Sequence, residues 1–283
     1  MFNNIGVLGS GTMGLDIAQV FAASGRAVTL YSRSSESVKK AEARLTSGLS
    51  RRLERGKITQ EYMDQLVSNI RFTTELKSLS DMDLIVESVI EDVNVKKSTF
   101  AELDALCSEK TMFATNTSSI SITDIAAATK RADKFIGMHF FNPATVMKLV
   151  EVIRGMHTSD ETFSAVFELS KEIGKEPVEV QEAPGFVVNR LLIPMINEAV
   201  GLLAEGVASA EGIDTAMKLG ANHPMGPLAL ADLIGLDVCL AIMDTLYRET
   251  QDSKYRAHTL LRKMVRGGLL GKKSNQGFFT YGK

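Results

Sequence analysis

Only two cysteines, Cys107 and Cys239, occur in the 283-residue chain, far apart and in no Cys-x-x-Cys pair. That excludes a disulfide framework and a zinc knuckle. Basic residues are in no excess: 32 Lys and Arg stand against 34 Asp and Glu, a net charge of −2. A nucleic-acid-binding protein usually shows a basic surplus or a dense basic stripe, and neither is present. Long apolar runs are missing as well. The longest uncharged stretch, Met1 to Leu15, falls short of the roughly 20 residues that a bilayer span needs. No basic segment with an apolar core precedes the first strand, and no Arg- and Ser-rich transit segment opens the chain. The expectation is a soluble, reduced, cytoplasmic protein with no nucleic-acid, membrane or metal partner.

What is there is an ordinary globular balance, 45% apolar and 23% charged residues, in a length that suggests two domains. The first half alternates short apolar runs with longer amphipathic ones, the pattern of a parallel sheet covered by helices. Strands are predicted at Ile5–Leu8, Ala27–Tyr31, Leu84–Ser88, Met112–Thr115, Phe135–His139, Lys148–Ile153 and Pro177–Val180. Between the second and third, Val38, Ala41, Leu45, Leu49 and Leu53 make one helical stripe, with Lys39, Arg44, Arg51 and Arg55 off it. A short helix is predicted at Thr59–Leu66. At Ala183-Pro184-Gly185 the texture changes to helical spacing: Phe186–Glu205, Ala210–Leu219, Leu228–Glu249 and Thr259–Arg266. Breaks fall at Gly206, at His223 to Pro227 and at Gly267-Gly268. The expected architecture is an α/β doubly wound domain over residues 1–183, followed by an all-α C-terminal domain over 184–283.

The turn Gly9-Ser10-Gly11-Thr12-Met13-Gly14 follows the first strand and opens an apolar-periodic helix, Met13–Ala23. This is the context of a Rossmann dinucleotide site. The first glycine permits the tight turn, the second lets backbone amides reach a pyrophosphate, and the third lets helix and strand pack closely. The helix N-terminus presents free N–H donors and partial positive charge to the phosphates. A plain glycine turn is the simpler reading, and strand, turn, helix and second strand together favour the cofactor. The end of that second strand normally carries an acid that bonds the adenosine ribose 2′-OH. Here it reads Tyr31-Ser32-Arg33-Ser34. A hydroxyl followed by arginine removes a carboxylate's repulsion and supplies a cation for a 2′-phosphate. The expectation is NADP(H) in preference to NAD(H), with NAD(H) possible; the alternative is a surface arginine that meets no ligand.

His139 ends a predicted strand, which puts it at the carboxyl edge of the sheet, where ligands of open α/β sheets bind. Twelve residues on, Glu151 shares a strand face with Met147, Leu149 and Ile153. A carboxylate in such apolar surroundings needs a cationic or donor partner. A histidine that gains and loses a proton is one, and the pair can hold one imidazole tautomer and stabilise the imidazolium. On these two residues alone, a structural ion pair is an equally good account. Asn116-Thr117-Ser118-Ser119 also follows a strand at its carboxyl end, and Asn189 lies in the first turns of the first C-terminal helix. Capping and tying the domains together are their simpler uses. A shared position at a domain junction makes them candidates for a binding site.

Over essentially its whole length the chain resembles the short-chain (S)-3-hydroxyacyl-CoA dehydrogenase family, in particular its bacterial 3-hydroxybutyryl-CoA branch. The resemblance runs from Gly9–Gly14 through Asn116–Ser119, His139–Pro143, Met147–Glu151, Pro184–Asn189 and Met217–Pro227 to Gly271–Phe278. It implies that His139 is a general acid and base acting on the C3 oxygen, that Glu151 orients it, and that Ser118 and Asn189 position an acyl-CoA thioester. Glu91 and Lys96 would line the nicotinamide and its ribose, with Asn116 and Lys273 as further cofactor contacts. The family also holds coenzyme A partly through the helix after the second strand. Ser47 and Arg55 lie near the matching positions, although a solvated basic face accounts equally well for Arg51, Arg52 and Arg55. Ser32-Arg33 departs from the family, most of which carries Asp there.

Two rivals stay open on the sequence: a related dehydrogenase of free hydroxy acids or longer 3-hydroxyacyl-CoA thioesters, and a non-enzymatic dinucleotide sensor. Helices such as Phe186–Glu205 and Leu228–Glu249 carry more apolar surface than a domain of roughly 100 residues buries alone. A homodimer through the C-terminal helices is expected, as in the family.

Overall fold

A computed structural model describes residues 2–282. The chain divides into two compact units, Met1–Ala183 and Pro184–Lys283.

The first unit runs β1 (Asn4–Leu8), α1 (Thr12–Ala23), β2 (Ala27–Tyr31), α2 (Ser35–Glu54), α3 (Gln60–Ser68), β3 (Ile70–Thr73), β4 (Leu84–Glu87), α4 (Val93–Leu106) and β5 (Met112–Thr115). It continues through α5 (Ile122–Ala126), β6 (Phe135–Phe140), β7 (Leu149–Arg154), α6 (Asp160–Glu172) and β8 (Glu176–Gln181). The eight strands form one sheet in the order β3-β2-β1-β4-β5-β6-β7-β8. After β3 the chain crosses to the far side of β1, which makes the β1–β4 junction the switch point of the sheet. Central strands are apolar throughout because helices cover both faces: Ile5 and Val7 of β1 and Leu84 to Val86 of β4 are fully buried. On α2, Ala41, Leu45 and Leu49 face the core at four-residue spacing. Its first turn is capped by Ser34, whose side chain accepts from the Ser37 amide at 3.2 Å.

The structure corrects the sequence reading in three places. The sheet is not wholly parallel, since β7 runs antiparallel to β6 and β8 is parallel to β7. A strand the sequence did not reveal, β3, pairs with β2 at the sheet edge. It is only four residues long and carries Arg71 and Thr73, so it has no apolar run to betray it. The helix predicted at Leu228–Glu249 is two helices.

The second unit contains α7 (Val188–Ala204), α8 (Ala210–Gly220), α9 (Pro227–Ile234), α10 (Leu236–Thr250) and α11 (Thr259–Arg266). Gly235, with φ +105°, separates α9 from α10. That backbone conformation is open to glycine and strained for other residues. The apolar periodicity nevertheless continues past the break, because both helices bury the same kind of face in one core that includes Leu228, Leu236, Met243 and Leu261. Buried acids serve as caps and ties. Asp214 accepts from the amides of Leu228 and Ala229 at 2.8 and 2.9 Å, closing the start of α9. Asp232 accepts from the Phe278 and Phe279 amides and the Tyr281 hydroxyl, which fastens the C-terminal segment. Among the described residues, no helix is long and apolar enough to cross a membrane.

Candidate active site

The carboxyl ends of β1, β2, β4, β5 and β6 place most of the sequence-predicted residues along one edge of the sheet. After β1 the chain turns through Gly9, at φ +113°. A Cβ on Gly9 would lie 2.3 Å from the Ser88 carbonyl oxygen, and one on Gly14 only 1.9 Å from the Gly9 carbonyl oxygen. Both close approaches require glycine. Gly11 is different: nothing lies within 4 Å of the Cβ it lacks, so its side is open. Gly11 is also the N-cap of α1, without a side-chain cap and with no acid in the first turn. Thr12, Met13 and Gly14 therefore begin a helix whose first amides meet no capping side chain, which is the donor set of an anion cradle. These residues fit a dinucleotide pyrophosphate.

Ser32 follows β2 and is buried. The Ser10 hydroxyl donates to the Ser32 hydroxyl at 2.8 Å, where a ribose-binding acid would otherwise stand. Arg33, next in the chain, is exposed.

At the ends of β4 and β5 lies a charged network. Glu87 and Lys96 have side-chain exposures of 0% and 1%, and their charges meet at 2.7 Å. Glu87 also accepts from the Val89 amide and the Thr115 hydroxyl. Burying both ions costs several kcal/mol each, and such a pair is tolerated only when further hydrogen bonds complete it. Lys96 reaches Glu91 as well, at 3.3 Å. Glu91 accepts from the Thr117 hydroxyl at 2.6 Å, and from the amide and hydroxyl of Ser118 at 2.7 and 3.0 Å. Burial pushes the Glu91 carboxyl up, but Lys96 and these donors outweigh it and hold the group below its ordinary 4.5. Asn116 bridges neighbouring strands: its amide nitrogen donates to the Ser88 hydroxyl at 3.3 Å, and its oxygen accepts from the Phe140 amide at 2.8 Å.

His139 and Glu151 are register partners across the antiparallel β6–β7 pair. Directly opposed residues point to the same face, and the His139 Nδ1 lies 2.7 Å from Glu151 Oε2. Glu151 is 1% exposed and His139 6%. Against an ionised carboxylate, which only accepts, the imidazole donates through Nδ1. Phe141 packs on the imidazole with ring centroids 4.5 Å apart. The connection from 141 to 148 is held from below by buried Lys175, which donates to the carbonyls of Ala144 at 2.5 Å and Met147 at 2.8 Å.

In the second unit, Asn189 is the second residue of α7. Lys273 lies in a short 3-10 turn and pairs with Asp237. Ser47 and Arg55 belong to α2 and its C-cap; the Ser47 hydroxyl accepts from Arg51 at 2.6 Å. The structure does not join these two to the sheet-edge residues. Sequence reasoning passed over Glu87, Thr115 and Lys175. Glu87 was within reach, since it closes the apolar run Leu84-Ile85-Val86 just as Glu151 sits in its own apolar strand. Lys175 carried no signal, because its partners are backbone carbonyls some 30 residues away. Among the described residues, no group of three or more His, Cys, Asp or Glu is placed to hold a metal ion.

Comparison with known proteins follows this geometry. A family model described as "3-hydroxyacyl-CoA dehydrogenase, NAD binding domain" matches residues 4–183, and one described as "3-hydroxyacyl-CoA dehydrogenase, C-terminal domain" matches residues 185–281. The chain is 59% identical over 279 residues to a 3-hydroxybutyryl-CoA dehydrogenase of Clostridioides difficile, covering 99% of each. It is 42% identical to the human mitochondrial hydroxyacyl-coenzyme A dehydrogenase, covering 98% of this chain and 91% of that one. A crystal structure of (S)-3-hydroxybutyryl-CoA dehydrogenase from Ralstonia eutropha superposes with a TM-score of 0.97 at 48% identity, covering 100% of both chains.

The lowered Glu91 carboxyl has a consequence for acid stability. A group whose folded pKa lies below its unfolded value stabilises the fold above the unfolded value, and the contribution disappears as pH falls through the folded one. Wild type should therefore exceed Glu91→Gln in urea-unfolding stability near neutrality, with the gap closing below about pH 4.5. A gap constant down to about pH 3 would show that the charge of Glu91 is not what its neighbours hold.

Proposed function

Because the chain belongs to the 3-hydroxyacyl-CoA dehydrogenase family, an oxidoreductase family with a dinucleotide-binding domain, we propose that it interconverts (S)-3-hydroxybutyryl-CoA and acetoacetyl-CoA, with NADP(H) preferred over NAD(H). The His139–Glu151 pair carries the reading: a buried acid-base couple at the ligand-binding edge of the sheet. The similarity to 3-hydroxybutyryl-CoA dehydrogenases supports the four-carbon acyl chain.

The nicotinamide, when bound, supplies or accepts the hydride at C3. The residues of the chain manage the rest. Gly9 to Gly14 hold the pyrophosphate, and Glu91, Lys96, Asn116 and Lys273 are assigned to the nicotinamide and ribose side. In reduction His139 gives its Nε2 proton to the forming alkoxide, and in oxidation it takes that proton from the hydroxyl. Glu151 accepts from Nδ1 and keeps the ring in place. Asn189 is assigned to the substrate oxygens, donating a hydrogen bond where negative charge develops, and Ser118 joins it by turning its hydroxyl hydrogen from Glu91 to the substrate. Ser47 and Arg55 are assigned to the coenzyme A portion of the thioester. No step calls for a metal, and the proposed place of work is the cytoplasm.

Assembly is proposed as a homodimer through the C-terminal helices. Leu191 on α7, Leu219 on α8 and Leu233 on α9 are 71%, 82% and 50% exposed, more large apolar surface than a lone unit tolerates well. Sedimentation at micromolar concentration should give a dimer, and Leu191→Glu with Leu219→Glu should shift it to monomer. A monomeric wild type would remove the claim.

For the chemistry, His139→Gln should lower kcat by about 10²–10⁴, the usual worth of general acid–base catalysis, with cofactor affinity little changed. Glu151→Gln should also slow turnover. A His139→Gln enzyme with near-normal kcat on acetoacetyl-CoA would remove the assignment.

Cofactor choice is read from parallel assays of acetoacetyl-CoA with NADPH and NADH. One charge-assisted bond from Arg33 to a 2′-phosphate, about 1.5–3 kcal/mol net, corresponds to roughly 10- to 100-fold in kcat/KM. Ser32→Asp with Arg33→Gln should swing the preference to NADH while His139-dependent turnover persists. A wild type that prefers NADH would overturn the NADP reading.

A further inference from the structure

We infer that Arg44, in the middle of α2, is a second cation of the 2′-phosphate site and sets cofactor choice together with Arg33. The inference rests on the NADP(H) preference proposed above. Its basis is a chain of contacts at the carboxyl end of β2. The Ser10 hydroxyl meets the Ser32 hydroxyl at 2.8 Å, so the second residue of the glycine turn and the residue that follows β2 form one rim. The Arg44 guanidinium is fixed to that same turn: its Nη2 donates to the Ser10 carbonyl at 3.1 Å and to the Gly11 carbonyl at 2.8 Å.

Among the described residues, no other cation of α2 is bonded to that turn. Lys40 is paired with Glu36 one turn away, at 2.6 Å. Arg51 is turned back onto Ser47. Arg44 sits one position before Leu45, which is buried and fixes the helix face, and it reaches back 34 residues to the turn.

Arg44 also keeps donors in reserve. Both of its bonds use Nη2 and go to neutral carbonyls, and among the described residues its Nε and Nη1 have no acceptor and its charge no ion-pair partner. The acid its charge reaches is Asp16, whose carboxyl burial pushes up while the Ala144 amide, Arg44 and Lys175 oppose the rise. A guanidinium held at one end with its other donors uncommitted is arranged for an oxyanion with several acceptor oxygens. Holding it beforehand also lowers the entropy lost on binding. Arg33, exposed and without a partner among the described residues, must be ordered by the ligand itself. The helix amides of α1 are already assigned to the pyrophosphate, whereas the end of β2 is where the adenosine ribose of a Rossmann-bound dinucleotide sits. The Ser32–Ser10–Arg44 line therefore points to the phosphate on the ribose.

The test is calorimetric titration of the full-length protein with 2′,5′-ADP and with 5′-AMP, two probes that differ by the 2′-phosphate and carry no nicotinamide. Wild type should bind 2′,5′-ADP about tenfold or more tighter than 5′-AMP. Arg44→Gln should lose about tenfold for 2′,5′-ADP and stay within about twofold for 5′-AMP, with Arg44→Lys between the two. Unchanged melting temperatures would show that the fold is intact. If Arg44→Gln keeps the discrimination while Arg33→Gln abolishes it, the inference about Arg44 fails and the NADP reading stands. If Arg44→Gln weakens both probes equally, Arg44 serves the shared 5′-phosphate and the inference is overturned. If wild type does not discriminate at all, the NADP reading itself falls and takes this inference with it.

Discussion

An ionised carboxylate sealed from water needs a partner within hydrogen-bond reach, and Glu151, at 1% exposure, has His139 at 2.7 Å. Much of the first unit follows from meeting that need. The two residues face each other because β7 reverses against β6, which makes positions 139 and 151 register partners. A parallel β7 would have had to start at the opposite edge of the sheet, after a long crossover. The reversal instead returns the chain at once, through the connection from 141 to 148, and both residues stay at the ligand-binding edge. Lys175 secures that connection by two of its carbonyls. Burial lowers the pKa of the Lys175 ammonium, and the charge of Asp16 opposes the fall. Strand direction, the anchored loop and the proposed proton-transfer pair thus express a single constraint.

The same physics recurs at the end of β4. Glu87 and Lys96 are both withdrawn from water, and apolar residues of similar size would give stability at least as well. What the charges add is direction. Lys96 is drawn to Glu87 and leans on Glu91, and Glu91 in turn gathers the Thr117 hydroxyl and both donors of Ser118. Ser118, assigned to the substrate, is thereby tied to a lysine buried behind it. Rigidity in that supporting layer holds the Ser118 hydroxyl in place.

Much of this was legible in the sequence, and what was not has physical reasons. The glycine turn, the strand before it and the helix after it read directly, because each obeys a local rule. His139 and Glu151 were paired by asking what a carboxylate in an apolar strand needs, and the same question put to Leu84-Ile85-Val86-Glu87 leads to Lys96. Strand direction was not legible. Lys148–Ile153 reads as a strand either way, since side-chain alternation is the same for parallel and antiparallel pairing. The division at Gly235 was hidden because the apolar period survives it. Arg44 looked like one more charge on a solvated helix face, and only the folded turn 34 residues earlier shows what it holds.

The edge of the sheet separates the choice of cofactor from the chemistry. From β2, which ends just before Ser32, to β6, which carries His139, the order passes through β1, β4 and β5. Four steps of roughly 4.8 Å put the two strands about 19 Å apart. Charges at the adenosine end are therefore about two Debye lengths from the imidazole at physiological ionic strength. Changes at sites so separated usually act additively. Replacing an acid by Ser32-Arg33 at the end of β2, and setting Arg44 against the neighbouring turn, can alter which dinucleotide is held while His139 and Glu151 keep their geometry. The proposed cofactor preference and the proposed proton transfer therefore rest on separate places along the sheet edge.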